Sequence, residues 1–545
     1  MPLSLSAEQK SINDIFYSNV QYVIPDYQRA YSWGFDQCNQ LYIDFLSAFN
    51  DNRDYFIGNI IIAKSLDSRR CPQVVDGQQR IITIWLLLKV LSVLCQSLRI
   101  ADTYLVISSM RINEEDILKI RSDVFETNDE QYIKDIYNYD AKTFNLRLNE
   151  IVDSKGDIKE ANCCSRFEYV ALLFYQNLHD VAVERLERFT AFVIDHIFLL
   201  PIELNGDNMK DANDRALSIF ETINNRGMNL ENADIFKARL YNKALMDGEE
   251  SKFKKLWAEF RQSTEDLNMT VDDIFRYYSH IIRGRENIIS SEKNLRDFFL
   301  LDSASPISNY NYRETMNELL RIVDILRQLQ KMESSDKSLG SWLQIIEAYS
   351  NSYPKYAIVN YLFVNSNYET LAFQDFLIRL IRYSYSLGAT TNVKFEIYKL
   401  ISKTSKGLPI DDYFLPFPME DFNHYKMLRK GYALLAYYLC GGKLMEKFWY
   451  DKLLINSDRY SLDMKDWTKD QEDYALKSLF NTIAIPIPAQ RKSMEQKYVY
   501  FHDSKMSHPS CIFIDSFQSF NDFEKYENEM KRIINHFFVD EKWKS

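Results

Sequence analysis

Glycine and proline are scarce in this chain, at 14 and 12 of 545 residues. With so few breakers, its long Leu-, Ile- and Tyr-rich stretches favour a largely helical protein. A basic excess is lacking too. The formal net charge of −11 argues against a protein that simply coats DNA. The seven cysteines are odd in number and follow no paired spacing, as expected of reduced thiols in the cytoplasm, and the adjacent Cys163-Cys164 give no metal-site spacing. None of the seven histidines (His179, His196, His280, His424, His502, His508, His536) stands in a His-x-x-x-His or other paired metal spacing. The opening residues, MPLSLSAEQKSINDIF, lack a basic start and apolar core, so no signal peptide is expected. The nearest thing to a membrane span, residues 81–98, is interrupted by Lys89, Ser92 and Gln96 and follows a polar turn. A buried core helix is the expectation there, with no membrane partner. There is no fixed-period repeat and no low-complexity linker.

What is present starts with three polar segments set among apolar ones. The first, Val74-Val75-Asp76-Gly77-Gln78-Gln79-Arg80-Ile81-Ile82-Thr83, joins a short strand to a long apolar helix, and residues 55–63 (YFIGNIIIA) form another strand before it. A helix that begins at Gln78-Gln79-Arg80 presents unpaired N–H groups and a partial positive charge. Gly77 lets a ligand approach the backbone, and Arg80 adds a charged fork suited to phosphate. Asp76 can hold a ribose hydroxyl, a metal or a water. The same residues also suit an ordinary strand-to-helix turn, with Asp76 near the N-cap and Arg80 in a salt bridge.

The second segment, Ile24-Pro25-Asp26-Tyr27-Gln28-Arg29-Ala30-Tyr31-Ser32-Trp33, enters extended at Pro25. It then gathers a Gln, an Arg and three aromatics, which suits a loop that stacks a base or braces an arginine, or a surface loop with its rings tucked against the core. In the third, a helix ends at Asn224-Asn225-Arg226-Gly227 with Gly227 as C-cap, and a new helix follows from Asn232 through Lys237. That joint faces a ligand or serves only as a cap.

Together the three segments resemble the N-terminal domain of GmrSD-type modification-dependent restriction endonucleases. The residues that carry the likeness are Pro25-Asp26-Tyr27-Gln28-Arg29 and Trp33, then Phe56-Ile57-Gly58, then Asp76-Gly77-Gln78-Gln79-Arg80, and finally Phe220, Asn224, Gly227 and Lys237. The resemblance implies a mixed α/β, ParB/sulfiredoxin-like nucleotide-binding domain over residues 1–245. It also implies a nucleoside triphosphate with Mg2+ as ligand, and control over cleavage of modified DNA, often in defence against phage. On that basis the candidate catalytic residues are Asp76, Gln79 and Arg80. The candidate nucleotide-binding residues are Tyr27, Gln28, Arg29, Trp33, Gly58, Gly77, Gln78, Thr83, Asn224, Arg226, Gly227 and Lys237. No dedicated metal site is assigned.

The rest of the chain divides by pattern. Residues 113–159 are polar and charged and read as an exposed insertion in the first domain. Residues 165–192 read as helical, and 198–204 (FLLPIEL) as a returning strand. Residues 246–410 are a run of amphipathic segments, hence a helical domain. From 411 to 545 the chain resembles a degenerate HNH nuclease domain of the ββα type. Asn481 and the stretch Tyr500-Phe501-His502-Asp503-Ser504-Lys505 follow the pattern, but the place of the catalytic histidine reads Lys452-Leu453-Leu454-Ile455-Asn456-Ser457-Asp458-Arg459. Phosphodiester hydrolysis needs an activated water and a cation at the phosphate, so the nuclease chemistry is expected to be lost or supplied by a separate subunit.

Before Asp421 there are 47 Lys/Arg against 59 Asp/Glu, and from Asp421 on 19 against 18. DNA contact must then be a local patch. The candidates are Lys426, Arg429 and Lys430, then Lys443 and Lys447, then Arg491 and Lys492, each set against the plain reading of a solvated mixed-charge surface. Two functions follow. One is the NTPase of a restriction-like system, with DNA, a nuclease subunit and further copies of itself as partners. The other is a non-hydrolysing nucleotide- and DNA-sensing regulator. An active HNH endonuclease is a third reading, which the missing histidine disfavours.

Overall fold

The computed structural model describes residues 5–67, 71–100, 110–112, 117–124, 128–224, 232–301, 304–335, 339–366, 371–387, 393–408, 427–445, 447–454, 467–486 and 519–539. The chain divides into two compact units, Met1–Ala258 and Glu259–Ser545.

The first unit is mixed α/β. Its sheet is built from β1 (Leu5–Ala7), β2 (Lys10–Ser11), β3 (Tyr22–Ile24), β4 (Tyr55–Ser65) and β5 (Gln73–Asp76), with β8 (Ile120–Ser122) and β9 (Ile197–Gly206). The strand order is β1-β9-β4-β5-β3-β8, with β2 also on β9, and a small hairpin of β6 (Arg111–Ile112) and β7 (Ile117–Leu118) lies apart. The centre is the parallel pair β4 and β9, which runs from Tyr55 opposite Ile197 to Ser65 opposite Gly206. β-branched residues fit a pleated surface packed on both faces, and Ile60, Ile61, Ile62 and Ala63 are fully buried. β5 runs antiparallel to β4 and parallel to β3, which brings the turn after β5 beside the loop after β3.

Helix α1 (Ile12–Phe16) and helix α2 (Phe35–Asn50) precede α3 (Gln78–Leu98). Among the described residues α3 alone is long and apolar enough to cross a membrane. However, 83% of its most apolar stretch is buried inside the protein, and an apolar surface all round is what a helix packed on every side requires. It is packed by the helices Arg166–Leu178 and Val183–Asp195 and by those at Asp129–Tyr137 and Ala141–Ile151. The last two fall in the stretch expected to be an exposed insertion. Most of the charges of the two helices lie on their outer faces, with Asp129 the buried exception, while Ile133, Ile136, Phe144, Leu148 and Ile151 join the core around α3. Lys89 of α3 is buried with them. Its ammonium lies 5.4 Å from the Tyr137 ring centre, and burial pulls its pKa down to about 8.

The second unit is helical for most of its length. Val271–Arg285, Tyr312–Ser335, Tyr353–Asn365 and Val393–Ser405 pack on one another. At their centre His280 is 1% exposed and stacks on Tyr356 with ring centres 4.0 Å apart. Further on, β10 (Phe448–Lys452) pairs antiparallel with β11 (Thr482–Pro486), and the Arg429–Leu439 helix packs on β11 and on the Phe520–Val539 helix. Asn481 is buried at the entry to β11. Its amide donates to Leu454 O and Leu476 O, and its oxygen accepts from Leu454 N at 2.7 Å. Every part of that side chain is occupied by backbone. Tyr500 to Lys505 lie outside the described residues.

Candidate functional site

The turn between β5 and α3 is shaped by Gly77. Its φ of +86° is a left-handed conformation that side-chain-bearing residues rarely adopt, and a Cβ there would stand 2.5 Å from Ile60 Cγ2. The first helical bond runs from Ile81 N to Gly77 O at 3.0 Å. The N–H groups of Gln78, Gln79 and Arg80 therefore open the helix without helical acceptors.

The two glutamines face inward, each about 94% buried. Gln78 Nε2 donates to Arg29 O at 3.2 Å. Gln79 Nε2 donates to Ala30 O at 3.1 Å, while its Oε1 accepts from Ser32 N at 2.8 Å and from Trp33 N at 3.2 Å. Gln28 returns the contact, its Nε2 donating to Val75 O at 2.8 Å. Thr83 is fully buried. Its hydroxyl donates to Gln79 O and lies 2.6 Å from Tyr31 Oη. The Gln-Gln pair thus pins the loop from Arg29 to Trp33 along its backbone. Buried Lys237 adds a further tie from the Asn232–Met246 helix, with Nζ donating to Gln28 O at 3.3 Å. Trp33 packs half-buried against the core.

Asp76 stands apart from these clamps. Its carboxylate is half-buried, and among the described residues no side chain hydrogen-bonds or ion-pairs with it. Burial pushes its pKa above the usual carboxylate value, while the Arg80 charge, the Gly77 N–H and the Arg29 charge pull it back. Arg80 donates to Asn59 O and lies over Gly58, where a Cβ would stand 3.5 Å from its Nη1. Arg29 pairs loosely with Asp234, at 3.9 Å. One carboxylate between two guanidinium groups at a helix start can engage a polyanion and its counter-cation. Residues 12–241 match the family model of the GmrSD restriction endonuclease N-terminal domain.

The match supports the GmrSD family for the first unit and takes in the β5–α3 turn, the loop after β3 and Gly58. No curated protein matches the chain. Within the matched residues the structure brings together Gln28, Arg29, Asp76, Gly77, Gln78, Gln79, Arg80 and Gly58. Tyr27 lies with its ring 5.6 Å from that of Tyr241. Asn224 closes the Met209–Asn224 helix, and Arg226 and Gly227 lie outside the described residues.

The fold adds an anchor that no sequence pattern announced. Asp26, inside the Pro25–Arg29 motif, accepts from Tyr241 Oη and from Lys254 Nζ at 2.6 Å. The only local signal was the acidic residue beside Tyr27, since its partners lie more than 200 residues away.

In the second unit Arg429 donates to Lys477 O at 3.3 Å, and Lys430 Nζ lies 5.6 Å from the Tyr450 ring centre. Lys443 and Lys447 are exposed. Lys426, Arg491 and Lys492 lie outside the described residues. Among the described residues no group of three or more His, Cys, Asp or Glu is placed to hold a metal ion.

Proposed function

We propose that this chain is the nucleoside-triphosphate-binding and hydrolysing component of a GmrSD-like restriction or anti-phage defence system, acting in the cytoplasm on DNA, with strand cleavage supplied by a separate nuclease subunit. The observation that carries the reading is the Asp76 carboxylate, free of side-chain partners among the described residues, at the start of a 21-residue helix and flanked by Arg29 and Arg80. A Mg2+ delivered on a triphosphate needs only one or two protein carboxylates, because phosphate oxygens and water complete its shell. Asp76 fits that demand alone. Arg80 and Arg29 would carry the phosphate charge, and Gln78 and Gln79 would hold the loop that bears Arg29.

The proposed partner nuclease is supported by the second unit. The HNH pattern has no histidine at its catalytic place, and the one pattern residue described there, Asn481, is engaged by backbone at both ends of its amide. A second reading, a nucleotide sensor without turnover, is favoured by Gln79. The side chain best suited to orient a water already has its carboxamide filled by Ala30, Ser32 and Trp33.

Phosphate release from ATP, GTP, CTP and UTP by the wild type and by Asp76→Ala, with and without modified DNA, separates the readings. Turnover that disappears in the variant establishes the NTPase. Binding without turnover establishes the sensor, and no binding of any nucleotide removes both.

A further inference from the structure

The second unit holds a pocket of about 280 Å³ among the Val271–Arg285, Tyr312–Ser335, Gly340–Glu347 and Tyr353–Asn365 helices. A cavity of roughly 150 Å³ lined by apolar side chains already takes benzene, so this one has room for an aromatic ring and a short chain. Its walls are mostly apolar. Leu326 and Leu329 come from one helix, Leu343 and Ile346 from a second and Ile358 from a third. Such walls favour an apolar body and leave the choice of ligand to the few polar groups among them.

The ionisable side chains in the lining are Glu333, Glu347 and Lys355. Glu347 and Lys355 satisfy each other at 2.5 Å, which leaves Glu333 over. Among the described residues its carboxyl has no hydrogen bond and no ion pair, while its backbone oxygen accepts from Gln344 Nε2 at 3.3 Å. The groups that act on that carboxyl place it beside the pocket, because both other charges of the wall reach it. Burial and the Glu347 charge push its pKa above the usual carboxylate value, and the Lys355 charge pulls it back. A half-buried carboxylate without a partner is costly, and a cation set against it offsets the cost.

Two carboxylates against one ammonium leave the wall one negative charge in excess. A monocation matches that excess. A second positive charge on the ligand would find no free carboxylate, since Glu347 is taken, and an anionic ligand would meet like charge. We propose that this pocket binds a small amphipathic amine, with its apolar body between the leucine and isoleucine side chains and its single ammonium on the Glu333 carboxylate.

The test is calorimetric titration of the full-length protein with phenethylamine, phenethyl alcohol and hydrocinnamate, which share a ring and a short chain and differ in the charge of the head. Saturable binding of the amine at one site is expected, with the alcohol and the acid each weaker by about tenfold or more. Glu333→Gln keeps the size of the side chain and should bring the amine down to the affinity of the alcohol. That variant should melt at or above the wild-type temperature, because the charge it removes has no partner. Leu329→Trp fills the apolar part of the pocket and should abolish binding of amine and alcohol alike. The proposal is overturned if the amine does not saturate, if the alcohol or the acid binds as tightly as the amine, or if either variant binds the amine like the wild type.

Discussion

The Arg80 guanidinium lies on Gly58, 3.5 Å from where a Cβ would be, at the point where the β4–β9 ladder shifts register between Phe56 and Gly58. Gly58 has a φ of +133°, so this one residue permits both the bulge and the placement of the arginine. Gly58→Val should strain the backbone by about 1–3 kcal/mol and push Arg80 off Asn59 O. Lower melting temperature and weaker nucleotide binding are expected together. Arg80→Ala should reproduce the binding loss with little change in melting, since it removes a half-exposed charge and no core volume. Nucleotide titration of the two variants checks this, and wild-type affinity in Gly58→Val would show that the position of Arg80 is immaterial.

Gln79→Glu separates a loop clamp from a direct catalytic contact. The variant keeps an acceptor for Ser32 N and Trp33 N but replaces the Nε2 donor that faces Ala30 O at 3.1 Å. Two acceptors then face each other in a buried site. A loss of about 1–3 kcal/mol is expected, visible as a lower melting temperature in the absence of any nucleotide. An unchanged melting temperature would mean that the carboxamide is not what holds the loop.

How far the sequence could be read depended on the range of each interaction. The β-branched run at 55–63 and the apolar run at 81–98 are local signals, and they became β4 and α3. The Asp76 turn was legible for the same reason, because Gly77 and the helix start are neighbours in the chain. The stretch 113–159 reads as exposed on its charge count, which ignores that Ile133, Ile136, Phe144 and Leu148 fall on single helical faces and enter the core. The work of Gln79 was invisible, since its partners sit 46 to 49 residues away. Asn213, which meets Gln73 across 140 residues, gave no local sign of that bond.

Lys89 is a charge in the core of the first unit, 7% exposed. Burial depresses its pKa from the usual 10.5 to about 8. The unfolded chain therefore binds the proton more tightly than the folded one, and at pH 7 the folded state carries the full penalty. Lys89→Met keeps the length of the side chain and removes the charge. It should stabilise the protein by about 1–3 kcal/mol, less whatever the ammonium gains over the Tyr137 ring. Thermal melts at pH 7 and at pH 10 check the assignment. The gain should shrink at the higher pH, where the wild-type lysine is neutral when folded.

His280 makes the second unit sensitive to acid. Among the described residues its ring nitrogens have no hydrogen-bond partner, and Nε2 is 3.8 Å from Glu292. Burial pushes its pKa from 6.5 down to about 3. The Glu292 charge opposes that fall, and Arg283 and Arg276 add to it. Above pH 6.5 the histidine is neutral in both states and costs nothing. As pH falls below 6.5 the unfolded chain takes up a proton that the folded chain refuses, so stability is lost progressively down to about pH 3.

The loss should reach on the order of 2 kcal/mol by pH 5. Glu292 is held below its usual range despite its burial, by hydrogen bonds from Tyr398 and Tyr353 and by the Arg283 charge. His280→Phe keeps a ring against Tyr356 and has nothing to protonate. Between pH 7 and pH 5 the variant's melting temperature should fall less than that of the wild type. Parallel falls would mean that His280 is protonated in the folded protein, and that Glu292, 3.8 Å away, pairs with it as an ion.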